Sequence, residues 1–189
     1  MDTAPTALPE QRIIDQFVGV AHGDFATLRQ LLDQYPALIN APARWGETAI
    51  QAATQVGRLD MVHHLLAAGA PRDICTAALL GEDDTVEAML QGDPTLIHAT
   101  GAHGIPLLYF PVITGNQALA ESLLAQGAPI NAGGGSSTPL HGAVLFGPPA
   151  LISWLLAHGA DPTLGDNDGK TPLQVAEAYD NTAAAALLR

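Results

Sequence analysis

Residues 138–143 read Thr138-Pro139-Leu140-His141-Gly142-Ala143. The same line returns at Thr171-Pro172-Leu173-Gln174-Val175-Ala176 and, without the proline, at Thr48-Ala49-Ile50-Gln51-Ala52-Ala53. Recurrence at a fixed period marks a repeat architecture, in which no copy buries its apolar face alone. With the first Thr as offset 0, offset 9 falls on Gly57 and Gly147, and offsets 17 and 18 on Leu65-Leu66 and Leu155-Leu156. Offset 21 falls on Gly69 and Gly159. The same ruler finds weaker copies starting at Ile14, Arg72 and Pro106, with Gly23, Gly81 and Gly115 at offset 9. Their apolar pairs are Leu31-Leu32, Met89-Leu90 and Leu123-Leu124. Six repeats therefore begin near 14, 48, 72, 106, 138 and 171, at spacings of 34, 24, 34, 32 and 33.

Each copy spells out a pair of helices. Thr at offset 0 can cap a helix whose first residue tolerates proline, because the N–H that proline lacks is unpaired there anyway. Offset 5 is small in five copies (Gly19, Ala53, Ala77, Ala143 and Ala176), which lets successive inner helices stack closely. Glycine at offset 9 suits a left-handed turn, and Asp180 substitutes for it in the last copy. The Leu pairs supply the core face of a second, outer helix.

The Thr-Pro-Leu-His line, the turn glycine and the "LLAHGADP" ending at 155–162 resemble ankyrin repeats over roughly residues 10–189. The resemblance implies an all-α solenoid of stacked helix–turn–helix units joined by short β-hairpin loops. It places residues 10–189 in a single domain behind a flexible lead at residues 1–9. It also implies a protein–protein interaction module, since the hairpin tips and inner helices of such arrays form a concave binding surface.

Several copies depart from the pattern. The 24-residue step from 48 to 72 leaves no room for a finger between Gly69 and Ile74. "YPALIN" (35–40) and "DPTLIH" (93–98) replace the usual ending and read as loops plugged by a buried aliphatic residue. In "HGIPLLYFPVITG" (103–115), Pro106 stands in the Thr place, Tyr109 in the His place and Pro111 at offset 5. Proline there predicts a shortened or irregular inner helix over 106–111, without the usual histidine hydrogen bonds. The last copy ends at Arg189, short of a full outer helix.

Composition excludes several function classes. Apolar residues make up 48 %, and no apolar run reaches the ~20 residues that span a bilayer. No basic stretch followed by an apolar one opens the chain, so no secretory leader is expected. With 19 Asp plus Glu against 7 Lys plus Arg, the formal charge of −12 repels phosphate backbones and anionic lipid. Neither nucleic acid nor a membrane is expected as a partner. The single Cys75 forbids an internal disulfide and fits a cytoplasmic location.

Offsets 7 and 8 are expected to face the hollow. They read Leu79-Leu80, Ile113-Thr114 and Leu145-Phe146 in three consecutive copies, with Tyr179 in the last and Trp45 and Tyr109 close by. A contiguous apolar patch on a soluble protein marks an interaction site. These residues are therefore the candidate surface of a non-catalytic adaptor that takes an apolar segment of another protein, its identity and the oligomeric state left open. The alternative is a small-molecule-binding or enzymatic variant, in which His22, His103, Tyr109 and His141 line a central apolar pocket for a small apolar ligand. No catalytic residues are assigned: there is no Gly-x-Ser-x-Gly elbow, and "GGGSS" (133–137) lacks the lysine of a phosphate loop. No metal or cofactor is expected either. His63 and His64 point to different helix faces, the His98–His103 loop has no cysteine partner, and "DNDGKT" (166–171) reads as a turn. His141 belongs to the structural line, and Glu82, Asp83, Asp84 and Glu87 suit a helix N-terminus.

Overall fold

The computed structural model describes residues 8–189; the first seven residues of the expected lead lie outside the described part. Among the described residues there are twelve α-helices and no named strand. Their contacts divide the chain into two compact bodies, one ending at Asp73 and one beginning at Ile74.

The first body holds α1 (Gln11–Val20), α2 (Phe25–Gln34), α3 (Ala49–Gln55) and α4 (Leu59–Ala67). Inner helices α1 and α3 pack together, each against its own outer partner. Phe17, Val18, Leu28, Met61 and Leu65 are fully buried between them. Arg58, at offset 10, donates from Nη1 to the Gly23 carbonyl at 2.7 Å and so ties the second repeat to the turn of the first. The 36–40 segment is a 3₁₀ turn (Pro36–Asn40) plugged by fully buried Leu38, as its sequence suggested.

The second body holds the inner helices α5 (Ile74–Leu80), α7 (Tyr109–Thr114), α9 (Pro139–Leu145) and α11 (Pro172–Ala178). They alternate with the outer helices α6 (Asp83–Gly92), α8 (Gln117–Ala125), α10 (Pro149–Ala157) and α12 (Thr182–Leu188). The inner helices pack in chain order, α5 on α7, α7 on α9 and α9 on α11. Asn at offset 10 does two jobs here. Asn116 and Asn181 each accept the N–H three residues on, capping α8 and α12, while their amides donate to Asp83 and to the Val144 carbonyl of the preceding repeat, both at 2.8 Å.

The Thr caps form as the repeat line requires. Thr48, Thr138 and Thr171 each close a reciprocal box with the residue at offset 3. Turn glycines at Gly57, Gly81 and Gly115 are left-handed, as is Asp180 (φ 53°). Gly147 is needed for a different reason. A Cβ there would lie 2.9 Å from Ala143 Cα and 3.0 Å from the Val112 carbonyl oxygen, so the requirement is close approach rather than handedness. Small size at offset 5 is likewise used at Ala53, Ala77, Ala143 and Ala176, all fully buried, but not at Gly19, where a Cβ would meet nothing within 4 Å.

One element differs from expectation. The fingers are tight turns rather than β-hairpins. Among the described residues one isolated bridge stands in place of strands, Thr100 with Pro106, and the 166–170 finger spends its hydrogen bonds on Asp166 N–H to Lys170 O and Gly169 N–H to Asp166 O. Successive fingers are instead laced sideways: Ser136 Oγ donates to the His103 carbonyl, Gly135 N–H to Gly165 O and Asn167 N–H to Ser136 O. The connection between α4 and α5, from Ala68 to Asp73, has no finger at all. In the fourth repeat, α7 starts at Tyr109 instead of at the Leu107 that its line would give, so Pro111 falls in the first turn of a six-residue helix. Its missing N–H costs nothing there.

Candidate partner-binding surface

His141 shows how a repeat histidine is consumed by the fold. It is fully buried, and its Nε2 lies 2.9 Å from the Lys170 carbonyl. A carbonyl only accepts, so Nε2 carries the proton and Nδ1 is the acceptor. Nδ1 then takes the Thr138 hydroxyl at 2.8 Å and the Thr138 N–H at 3.3 Å. One imidazole thus caps α9 and pins the next finger, with both nitrogens occupied.

Tyr109 occupies the same offset one repeat earlier and solves the problem with bulk. It is 2 % exposed, and burial pushes its phenol well above the usual range, so it stays a neutral O–H. Its ring meets Phe110 edge-on at 5.5 Å. Space for it comes from Gly142 on α9: a Cβ there would lie 2.6 Å from Tyr109 Cε2 and 2.9 Å from Ile113 Cγ2. Tyr109 and Ile113, one helical turn apart on α7, therefore both press into the gap left by a missing methyl. That is why Ile113, expected in the hollow, is 7 % exposed and belongs to the core. Leu79 is 1 % exposed and equally internal, because α5 is covered by both α6 and α7.

The accessible side of the second body is consequently narrower than offsets 7 and 8 together. At offset 8 the stacked helices α5, α7, α9 and α11 present half-buried Leu80, exposed Thr114, Phe146 at 47 % exposure and Tyr179 at 71 %. Leu145 beside them is half-buried. His103 is exposed in the preceding finger with φ 56°, a left-handed backbone that His adopts more readily than most residues. The polar groups of the alternative pocket are thus separated by environment: His103 is on the surface, while Tyr109 and His141 are spent inside.

The first body carries the other two expected residues. Trp45 is 47 % exposed on a turn, and its indole N–H donates to Glu47 Oε2 at 2.8 Å. His22, exposed, places Nε2 3.8 Å from Glu47 Oε1. Glu47 is 3 % exposed, a buried carboxylate that the sequence did not single out. As an acid just before the Thr line, it carried no signal separating it from a solvated finger residue. Among the described residues no group of three His, Cys, Asp or Glu side chains is placed to hold a metal ion, and no helix is long and apolar enough to cross a membrane.

Comparison with known proteins agrees with this geometry. Family models for the ankyrin repeat match residues 45–77, and for "Ankyrin repeats (many copies)" residues 123–176. Among solved structures, two are similar in fold over most of the chain's length. One is an ankyrin repeat domain from Acinetobacter baumannii, 26 % identical with a TM-score of 0.51, covering 92 % of this chain and 95 % of that one. The chain is built of ankyrin repeats. The other is a chain from the complex of the predatory endopeptidase Bd0816 of Bdellovibrio bacteriovorus with the immunity protein Bd3460, 25 % identical with a TM-score of 0.53, covering 91 % of this ankyrin-repeat chain and 95 % of that one.

Among curated relatives, the Drosophila melanogaster E3 ubiquitin-protein ligase Ufd4 is 45 % identical over 73 residues, 39 % of this chain and 3 % of its own length. A putative palmitoyltransferase ZDHHC13 of Danio rerio is 34 % identical over 86 residues, 44 % of this chain and 13 % of its length. A Caenorhabditis elegans homologue of a transient receptor potential channel is 25 % identical over 172 residues, 86 % of this chain and 14 % of its length. The ankyrin-repeat chain thus spans less than a fifth of each relative, and the likeness lies in the repeats. Ankyrin repeats generally mediate protein–protein interaction.

Proposed function

We propose that this ankyrin-repeat chain is a non-catalytic adaptor that holds a partner protein on the offset-8 face of its second body, in the cytoplasm. The observation that carries this is the row Leu80, Phe146 and Tyr179 at offset 8 of the third, fifth and sixth repeats, with two aromatic side chains at 47 % and 71 % exposure. Large rings left in water on a folded scaffold are the side chains that anchor interfaces. Leu145 flanks them on α9, and Thr114 gives the row a polar gap at α7. A partner segment with apolar groups spaced to meet α5, α9 and α11 fits this pattern, in the manner of a helix laid in a groove. A chain of nearly the same extent occurs in a solved endopeptidase–immunity protein complex, which supports a folded protein as the partner class.

The test is capture with the purified chain against a Leu80→Gln, Phe146→Ser, Tyr179→Ser variant whose circular dichroism and melting match the parent. Proteins held by the parent are expected to be absent from the variant. Equal recovery by both would remove the surface from consideration. Ile113 and Leu79 are unsuitable for this purpose, because polar groups there would unfold the core.

A further inference from the structure

The outer helices of the second body carry a second feature, on α8 and α10, that shares no residue with the offset-8 row. Glu121, Leu124, Ala125, Trp154 and His158 line a surface pocket of about 360 Å³. Trp154 is half-buried, and its ring lies 4.5 Å from that of His158 at 35°. His158 Nδ1 is 2.8 Å from the Trp154 carbonyl and must donate to it, so in the neutral tautomer Nε2 is the acceptor. Glu121 is exposed at the rim, its Oε1 accepting from Gln117 Nε2 at 2.7 Å. Leu124 and Ala125 are the aliphatic part of the lining. No Lys or Arg lines the pocket, in a chain whose formal charge is −12.

We propose that this pocket receives an arginine side chain of a protein partner. An indole face attracts a cation, a carboxylate pairs with it, and aliphatic walls suit the methylene stem that carries it. Among cations the planar, weakly hydrated guanidinium stacks flat on Trp with its N–H groups directed outward in the plane toward Glu121 and His158 Nε2, whereas a compact, strongly hydrated ammonium has no face to stack. The acidic balance of the whole chain draws basic partner surfaces toward it. The pocket gives that general attraction one defined contact.

The probe is a capped Gly-Arg-Gly tripeptide, titrated into the ¹⁵N-labelled chain while the two tryptophan indole N–H resonances are followed. The Trp154 signal is expected to shift saturably and the Trp45 signal to stay in place. The matching citrulline peptide, neutral but of the same shape, is expected to bind several-fold more weakly, and the lysine peptide more weakly than the arginine one. Glu121→Gln is expected to weaken arginine binding about two- to fivefold, the range of an exposed ion pair. The Leu80→Gln, Phe146→Ser, Tyr179→Ser variant is expected to respond like the parent, which separates this site from the offset-8 face. The proposal is overturned if Trp154 does not shift, if Trp45 shifts alongside it, if citrulline or lysine binds as tightly as arginine, or if Glu121→Gln changes nothing.

Discussion

A Cβ on Gly142 would fall 2.6 Å from the Tyr109 ring, and that one distance couples two repeats. Replacing an interior helical glycine by alanine ordinarily stabilises by about 1 kcal/mol. Here the sign reverses. Gly142→Ala is expected to cost about 1–3 kcal/mol as overpacking, and so to lower Tm by about 2–4 °C per kcal/mol in a chain of this size. In a Tyr109→Leu background, with the ring gone, the same change is expected to cost far less; thermal melts of the four proteins measure the coupling. His141 is the opposite case, a small ring held by hydrogen bonds. His141→Ala leaves the buried Thr138 pair and the Lys170 carbonyl without it, and is expected to cost about 1–3 kcal/mol for each buried group left unsatisfied. Chemical denaturation of the variant checks this.

Three aspartates show a further residue-scale pattern. Asp24, Asp93 and Asp161 each accept the hydroxyl and the N–H of a nearby Thr: Thr27, Thr95 and Thr163. These bonds, the hydroxyl first and the N–H second, hold their carboxyls below the ordinary range. A lowered folded pKa gives stability that is complete above the unfolded value of about 3.9 and is lost as pH falls through the folded one. Denaturation midpoints are therefore expected to fall below about pH 4. A variant with Asn at all three positions, which still offers an acceptor but does not titrate, is expected to flatten that slope.

At the scale of the element, the fourth repeat separates what a sequence shows from what only packing decides. Proline at offset 5 announced a shortened helix, and α7 does begin late, because proline is accommodated only in a first turn. The same residue at the same offset of α9 would sit in the helix's interior. Ala143→Pro is expected to destabilise by about 3 kcal/mol or more, whereas Pro111→Ala is expected to cost only about 0.4–1 kcal/mol through the freer unfolded chain; paired denaturation curves test the contrast. The Thr caps, the left-handed turns at Gly57, Gly81 and Gly115 (Gly23 and Gly147 do not take that turn) and the buried aliphatic plugs were legible because each is a local rule written in adjacent residues. The burial of Ile113 was not, since it depends on a glycine twenty-nine positions away that makes room for it. The finger lacing was hidden for the same reason: its partners are distant in the chain and are mostly backbone atoms. Asn at offset 10 was readable in principle, as a cap three residues before an apolar run.

At the scale of the whole molecule, the period fixed the repeat family, and composition narrowed the partners. The surface itself needed the structure. Leu79, Tyr109 and Ile113 turned inward, and what remains on the second body is a row of four offset-8 positions with Leu145 beside it. That row is the central claim, and binding affinity tests it most directly. Once a captured partner is purified, its Kd for the parent is compared with its Kd for the Leu80→Gln, Phe146→Ser, Tyr179→Ser variant under the same salt. Removing aromatic anchors that each contribute more than about 1 kcal/mol is expected to weaken binding by about tenfold or more. An unchanged Kd with a folded variant would contradict the assignment of this face as the binding surface.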